Sequence, residues 1–338
     1  MSISIGKIRL KNPVFLAPMS GVTDAAFRMI AHAQGAGLVV SEMVASEELA
    51  RDRPDMVRRT LGGKTVSPFV IQLAGREAHW MAEGARIAQD LEADIIDINM
   101  GCPARQVTGG LSGSALMRDP DHALGLIEAT VAASRVPVTV KMRLGWDRDC
   151  MNAPHIAKRA EAAGAQMITV HGRTRNQFYT GKADWAAIRA VRDAISIPLV
   201  ANGDGQTAAD AKAMMQASGA DAVMFGRAAY GRPWWPGAVA EQLTHGSGKA
   251  APSLTEECEL LLWHQAETLS LYGASLGNKT FRKHLGWGLT RLHERHLMTA
   301  DHLQNWRATL LSDTDNANIA ARIRAVFAQA QDNQQVAA

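Results

Sequence analysis

The chain reads as an α/β protein, a (β/α)8 TIM barrel followed by a smaller all-helical C-terminal domain. Eight short apolar runs recur, at 14–17, 38–41, 68–72, 95–99, 138–141, 167–171, 198–202 and 222–226. Their starts lie 24 to 43 residues apart, which leaves room for one crossover helix each. Beyond residue 254 the apolar pattern turns helical and no further strand is evident. Near-continuous hydrophobicity suits parallel strands covered on both faces, and eight such units in roughly 230 residues favour a closed barrel over an open doubly wound sheet.

Local signals punctuate these units. Gly35, Gly164 and Gly219 precede strands two, six and eight as glycines ending helices do. Residues 1–243 are assigned to the barrel, and the polar, small-residue run 244–253 to a linker. Ser253 or Thr255 ahead of Glu256, Glu257 and Glu259 marks a helix N-terminus with acids in its first turn. Helical periodicity then holds over 254–330, and 331–338 is expected to fray.

Composition limits the function. With 338 residues and 47% apolar content the chain can bury a large core. It shows no secretory leader and no apolar run near the roughly 18 residues that span a bilayer, so a cytoplasmic location is expected. Cys102, Cys150 and Cys258 are its three cysteines. They form no CxxC or Cys/His ligand pattern, which argues against a metal site and fits a reducing compartment. A formal charge of +3 is too small to prove a polyanionic partner, so the placement of the cations must decide.

The most informative stretch is Ile95-Ile96-Asp97-Ile98-Asn99-Met100-Gly101-Cys102-Pro103, which ends a buried strand and delivers a carboxamide and a thiol to its tip. Other strand tips gather polar residues at the same end: Gln72, Lys141 with Arg143, His171 with Arg173, Asn202-Gly203-Asp204 and Gly226-Arg227. Each alone has a structural explanation. Together they form a rim that apolar residues would fill at less desolvation cost. The turns after strands seven and eight are where barrels hold phosphate, and Arg227 adds donors. Gly203-Asp204-Gly205-Gln206-Thr207-Ala208 also fits a dinucleotide fingerprint, but its candidate acid, Asp221, precedes its strand and faces the wrong end of the sheet. A phosphate there, with Lys141 and His171 converging on the centre, describes a seat for FMN. Gln72 can pair with the isoalloxazine edge, and Lys141 can stabilise the anionic reduced ring. Cys102 then reads as an acid, because a thiol is ordinarily protonated at neutral pH and can quench the charge left by hydride addition to a C=C bond.

These segments resemble the tRNA-dihydrouridine synthase family over almost the whole chain. The matching stretches include Ala17-Pro18-Met19-Ser20-Gly21-Val22-Thr23-Asp24, Ser41-Glu42-Met43, the Asp97 to Pro103 run, Val170-His171-Gly172-Arg173-Thr174-Arg175 and Gly226-Arg227-Ala228. Arg282-Lys283-His284-Leu285 and the Gly226 to Trp234 run look most like the bacterial B-type branch. The resemblance implies FMN held by Pro18, Met19, Ser20, Gln72, Lys141, His171, Asn202, Gly203, Asp204, Gly226 and Arg227. It implies NADPH as reductant, hydride transfer to C6 of a tRNA uracil, protonation of C5 by Cys102, and Asn99 against the target base. It also implies a mobile lid at 109–114 and a D-loop target, with position 17 suggested by the branch. One departure is the pair Arg105-Gln106, where family members often carry two basic residues.

For tRNA, the segment 279–296 holds Lys279, Arg282, Lys283, Arg291 and Arg295 against Glu294, a local excess of four positive charges. Lys279, Arg282, Lys283 and His284 are expected to contact phosphate, with Arg143, Arg173 and Arg175 continuing the track along the rim. His293 and His296 lack a third metal ligand, and Trp234, Trp235 and Trp263 are read as packing aromatics. A monomer is favoured. The competing readings are a barrel oxidoreductase acting on a free pyrimidine, as dihydroorotate dehydrogenases do, and a barrel that binds RNA without catalysis.

Overall fold

The computed structural model describes residues 3–63, 65–246 and 251–337. Two short antiparallel strands, β1 (Ser4–Ile5) and β2 (Ile8–Arg9), come first. Eight parallel strands then close a barrel: β3 (Val14–Leu16), β4 (Leu38–Ala45), β5 (Val70–Ala74), β6 (Ile95–Met100), β7 (Val138–Arg143), β8 (Ile168–His171), β9 (Leu199–Asn202) and β10 (Ala222–Phe225). Neighbours pair in sequence order and β10 returns to β3. All eight expected strands are present, and β4 and β7 run further than their apolar stretches because Glu42 and Arg143 are buried polar residues that a hydrophobicity pattern cannot include.

Among the described residues ten α-helices accompany the barrel: α1 (Ala25–Ala33), α2 (Ser46–Ala50), α3 (Pro54–Arg59), α4 (Ala78–Asp90), α5 (Arg105–Thr108), α6 (Pro120–Ala133), α7 (Ala153–Ala162), α8 (Arg189–Arg192), α9 (Ala208–Ser218) and α10 (Trp235–His245). Their apolar faces and the outer faces of the strands form the largest core. Inside the barrel, Phe15, Leu38, Val70, Ile95 and Met167 fill the lower layer, and Ile3, Ile5 and Leu10 of the N-terminal hairpin plug it from below. The sequence reading missed this hairpin because its strands are two residues each. Gly219 ends α9 at φ +68, as expected of a left-handed C-cap.

The C-terminal region is helical: α11 (Leu254–Tyr272), α12 (Ala274–Glu294), α13 (Ala300–Ser312) and α14 (Asn316–Ala337). Ser253 caps α11 in a reciprocal capping box with Glu256. Leu262, Phe281, Leu285, Ile323 and Val326 make a separate core. The expected linker begins inside α10, which runs to His245, and its residues 247–250 lie outside the described ones. Of the stretch 331–338 expected to fray, residues 331–337 lie in α14, where Gln331 Nε2 donates to Thr255 Oγ1 at 2.6 Å and Asn333 Nδ2 to Leu297 O at 3.0 Å, and residue 338 lies outside the described ones. The region docks on the barrel through α1, where Phe27 meets His264 and His284 at ring distances of 5.6 and 5.4 Å, and through stacked Tyr230 and Trp287 at 4.0 Å.

Candidate active site at the barrel mouth

A cavity of about 500 Å³ opens at the C-terminal ends of the strands, within the size range of small-molecule sites. It is lined by Pro18, Met19 and Ser20 after β3, Gln72 on β5, Asn99 and Cys102 at the tip of β6, and Lys141 on β7. His171 on β8, Asn202, Gly203 and Asp204 at β9, and Gly226 and Arg227 after β10 complete it. Every residue expected to touch cofactor or base therefore faces one space. Met43, Phe178, Tyr179 and Tyr230 also line it and had no role assigned from sequence.

Strand periodicity builds the floor. Side chains two apart on a strand share a face, so Asp97 and Asn99 of β6 both point into the barrel. The register sets Asp97 directly beside Gln72 on one side and Thr139 on the other, and Asn99 beside Lys141. Gln72 Nε2 donates to Asp97 Oδ2 at 2.6 Å, Thr139 Oγ1 to Asp97 Oδ1 at 2.6 Å, and Asn99 Nδ2 to Gln72 Oε1 at 2.8 Å. Asn99 Oδ1 accepts from the backbone N–H of Gly101 and Cys102 at 3.2 and 3.1 Å. Asn99 is thus left with an N–H to offer a ligand. Asp97 was given no role of its own from sequence, because its partners Gln72 and Thr139 come beside it only through the strand register.

Burial shapes the charges. It pushes the Asp97 carboxyl up to about 6 against the opposing pull of Gln72, Thr139 and Lys141. It pushes the Lys141 ammonium down to about 8, aided by Arg143. Lys141 Nζ donates to Asn202 Oδ1 at 3.2 Å, and no carboxylate lies within ion-pair distance of it among the described residues. His171 is held well below its ordinary value by burial and the cations Arg143, Lys141 and Arg173. Arg173 Nη1 lies 3.3 Å from its Nε2, and because guanidinium only donates, the neutral ring carries its proton on Nδ1. Floor and walls therefore offer donors and positive charge, a fit for an anionic ligand rich in acceptors. Gly203 is obligatory here: at φ +125 a Cβ would stand 2.7 Å from Ala183 Cβ and 2.9 Å from His171 Cδ2.

Two arginines expected on an RNA track are internal. Arg143 and Arg173 are each 1% exposed. Arg143 donates to the carbonyls of Gly101, Thr174 and Phe178, so it braces the turn carrying Cys102. Arg173 donates to Gly181 O and Asp204 Oδ2. Arg175 is half-buried, between the Trp146 and Phe178 rings. Sequence placed these residues at and just after the ends of β7 and β8 but could not tell which way long side chains turn. Asp221, the acid of the rejected dinucleotide reading, accepts from Leu199 N at the start of β9, the opposite end of the barrel.

Cys102 is half-buried on the cavity wall. Its carbonyl accepts from Ser114 N and Oγ at 3.0 and 2.8 Å, so the glycine-bearing segment after α5 folds back onto the cysteine turn. Leu111, at the tip of that segment, is 62% exposed.

The basic cluster of α12 splits on folding. His284 is 1% exposed, packed on Phe27, His264 and Trp287, and cannot contact RNA. Arg282 donates to Asn278 Oδ1 and Asp313 O. Lys279 is exposed. Lys283 reaches the β3 loop, its Nζ 3.8 Å from where a Gly21 Cβ would stand. The same loop is held from within by the buried Glu42, which accepts from Gly21 N at 2.5 Å. No three-residue His, Cys, Asp or Glu cluster suited to a metal occurs among the described residues.

Comparison with known proteins shows the family. The family described as dihydrouridine synthase (Dus) matches residues 15–331. The chain belongs to that family. A probable tRNA-dihydrouridine synthase of Rhizobium leguminosarum bv. phaseoli is 54% identical over 329 residues, covering 97% of this chain and 99% of that protein. The tRNA-dihydrouridine synthase B of Pseudomonas aeruginosa is 42% identical over 334 residues, covering 98% and 97%. Among solved structures, morphinone reductase in complex with tetrahydroNAD aligns with a TM-score of 0.52 at 16% identity, over 76% of this chain and 93% of that one. That likeness shows the barrel fold of this family member and nothing finer.

Proposed function

We propose that this protein reduces the C5=C6 bond of D-loop uridines in tRNA to 5,6-dihydrouridine, with FMN seated in the barrel mouth and NADPH as reductant. The observation that carries the reading is the convergence of Cys102, a donor-bearing amide floor and a buried ammonium in one cavity, in a chain whose relatives are named tRNA-dihydrouridine synthases. Gln72, Lys141, His171, Asn202, Gly203 and the Pro18 to Ser20 loop would hold the flavin, and Gly226 and Arg227 with the Asp204 turn its phosphate. Bound there, FMN would supply the hydride that goes to C6, with NADPH as the source of its electrons.

The chain's own residues do the rest. The Cys102 thiol gives its proton to C5, general acid catalysis of the kind worth roughly 10²–10⁴ in rate. Asn99 turns its spare N–H to a uracil carbonyl. The segment 109–114 covers the turn and keeps water from the reacting face. Drawing the uridine out of its stack costs a few kcal/mol. The helical domain offsets that by holding the tRNA, with Lys279 and Lys283 at phosphates, while residues 1–243 carry the chemistry. The enzyme acts in the cytoplasm as a monomer.

The test uses tRNA from cells lacking dihydrouridine, NADPH and purified protein. The preparation should absorb near ~450 nm, as bound flavin does, and mass spectrometry should place dihydrouridine in the D-loop. Cys102→Ala should still bind FMN and oxidise NADPH while product falls by about 10²-fold or more. A colourless protein that refuses FMN would sink the reading, and full product from Cys102→Ala would remove the cysteine from the acid role.

A further inference from the structure

We propose that Asp97 is a positioning residue: it fixes the direction of a buried hydrogen-bond chain so that Gln72 and Asn99 both turn N–H donors into the cavity, Gln72 toward the flavin and Asn99 toward the base beside it. This rests on the reading that flavin occupies the cavity. Asp97 is 3% exposed and does not line the cavity, so it acts only through its neighbours.

An ionised carboxylate can only accept, and a backbone N–H can only donate. The chain runs between one of each. Asp97 Oδ2 forces Gln72 to present Nε2 to it at 2.6 Å, which leaves Gln72 Oε1 to accept Asn99 Nδ2 at 2.8 Å. That in turn leaves Asn99 Oδ1 for the N–H groups of Gly101 and Cys102. Turning either amide over would set nitrogen against nitrogen or oxygen against oxygen at two links. Each amide nitrogen has two protons and spends one in the chain, so the second is the group each residue can offer a ligand. Thr139 Oγ1 donates to the other carboxylate oxygen at 2.6 Å and holds it in plane for Gln72. Burial pushes the Asp97 carboxyl toward its neutral form, so a carboxylate here costs stability that its packing alone does not explain.

Near-isosteric substitutions separate direction from charge. In Asp97→Asn the side-chain oxygen can keep accepting from Gln72, because its NH2 finds the Thr139 hydroxyl, which can accept as well as donate. In Asp97→Asn with Thr139→Val that anchor is gone and the amide is free to turn. FMN affinity is measured by titrating apoprotein and following quenching of flavin fluorescence. Each single substitution should weaken binding by about threefold at most, and the double variant by about tenfold beyond the product of the two, a coupling of about 1.4 kcal/mol. Side-chain amide NMR of the apoprotein gives a readout that needs no flavin: Gln72 and Asn99 NH2 resonances should stay in place in each single variant and shift or double in the pair. Loss in Asp97→Asn equal to that of the double variant would assign the effect to charge and overturn the proposal, as would a double variant equal to the product of its singles. Failure of the unsubstituted apoprotein to bind FMN would instead remove the cofactor reading, and this inference with it.

Discussion

Arg173 Nη2 donates to Asp204 Oδ2 at 2.6 Å, so a guanidinium that is 1% exposed is neutralised by a carboxylate on the cavity rim. Arg227 reaches the other oxygen, Oδ1, at 3.2 Å. One acid therefore aims two cations, one inside the wall and one at the mouth.

Asp204→Asn should destabilise the protein by about 2 kcal/mol, less than the roughly 3–5 kcal/mol of a fully buried broken pair, because Arg173 keeps the carbonyls of Thr180 and Gly181. Burial raises the Asp204 carboxyl, but the bonds from Arg173 and Ala183 N and the charge of Arg227 outweigh it and hold it below its ordinary value. A depressed acid contributes stability above its unfolded value and loses it as pH falls through its folded one. The gap between the two proteins in urea unfolding should accordingly close in acid; a constant gap would assign the loss to packing.

Lys141→Met should stabilise the apoprotein and weaken FMN binding. The ammonium is pushed from 10.5 down to about 8 by burial first. Folding therefore disfavours the charged form, a cost fully present below about 8 that fades as pH rises toward the unfolded value. The variant should gain roughly 1–3 kcal/mol at pH 7, the range for buried charge replaced by an apolar isostere, and the gain should shrink at pH 10. Thermal midpoints at the two pH values decide it, and a gain independent of pH would refute the cause given.

Gly231→Ala should loosen the seam between barrel and helices without touching the cavity. Gly231 has φ +71, and a Cβ there would stand 2.6 Å from the backbone carbon of Trp287. Strain of this kind costs about 1–3 kcal/mol before any clash is relieved. Limited proteolysis should release the helical region faster, with FMN affinity of the intact protein unchanged and tRNA binding weakened.

Acid should loosen the same seam. His264 Nε2 and both ring nitrogens of His284 are buried without hydrogen-bond partners. Burial first, then nearby positive charge, lowers His264 to about 3 and His284 well below its usual value. A buried neutral imidazole leaves stability intact above the unfolded value near ~6.5 and withdraws it as pH falls below, by about 1.4 kcal/mol per pH unit for each ring. His264→Asn should flatten the stability curve between pH 6 and 4. An unchanged slope would mean the interface opens before the rings must charge.

Much of the site was legible along the chain. Strand tips bearing Gln72, Asn99, Cys102, Lys141, His171 and Asn202 could be read in order, because in a barrel the end of every strand arrives at one mouth. Where those residues point was harder. Arg143, Arg173 and His284 looked like surface cations in sequence, and each is turned inward by a group far away along the chain: the Phe178 carbonyl, the Asp204 carboxylate and the Phe27 ring.

Sequence by itself determined the architecture and the chemical inventory, since eight apolar runs at crossover spacing leave few ways to bury them and the polar tips come with the strands. Only the tertiary structure decided hydrogen-bond direction and commitment. Asp97 sets Gln72 and Asn99 because strand register brings three distant residues to one level, and a donor spent on a neighbour is invisible until the neighbour is in place.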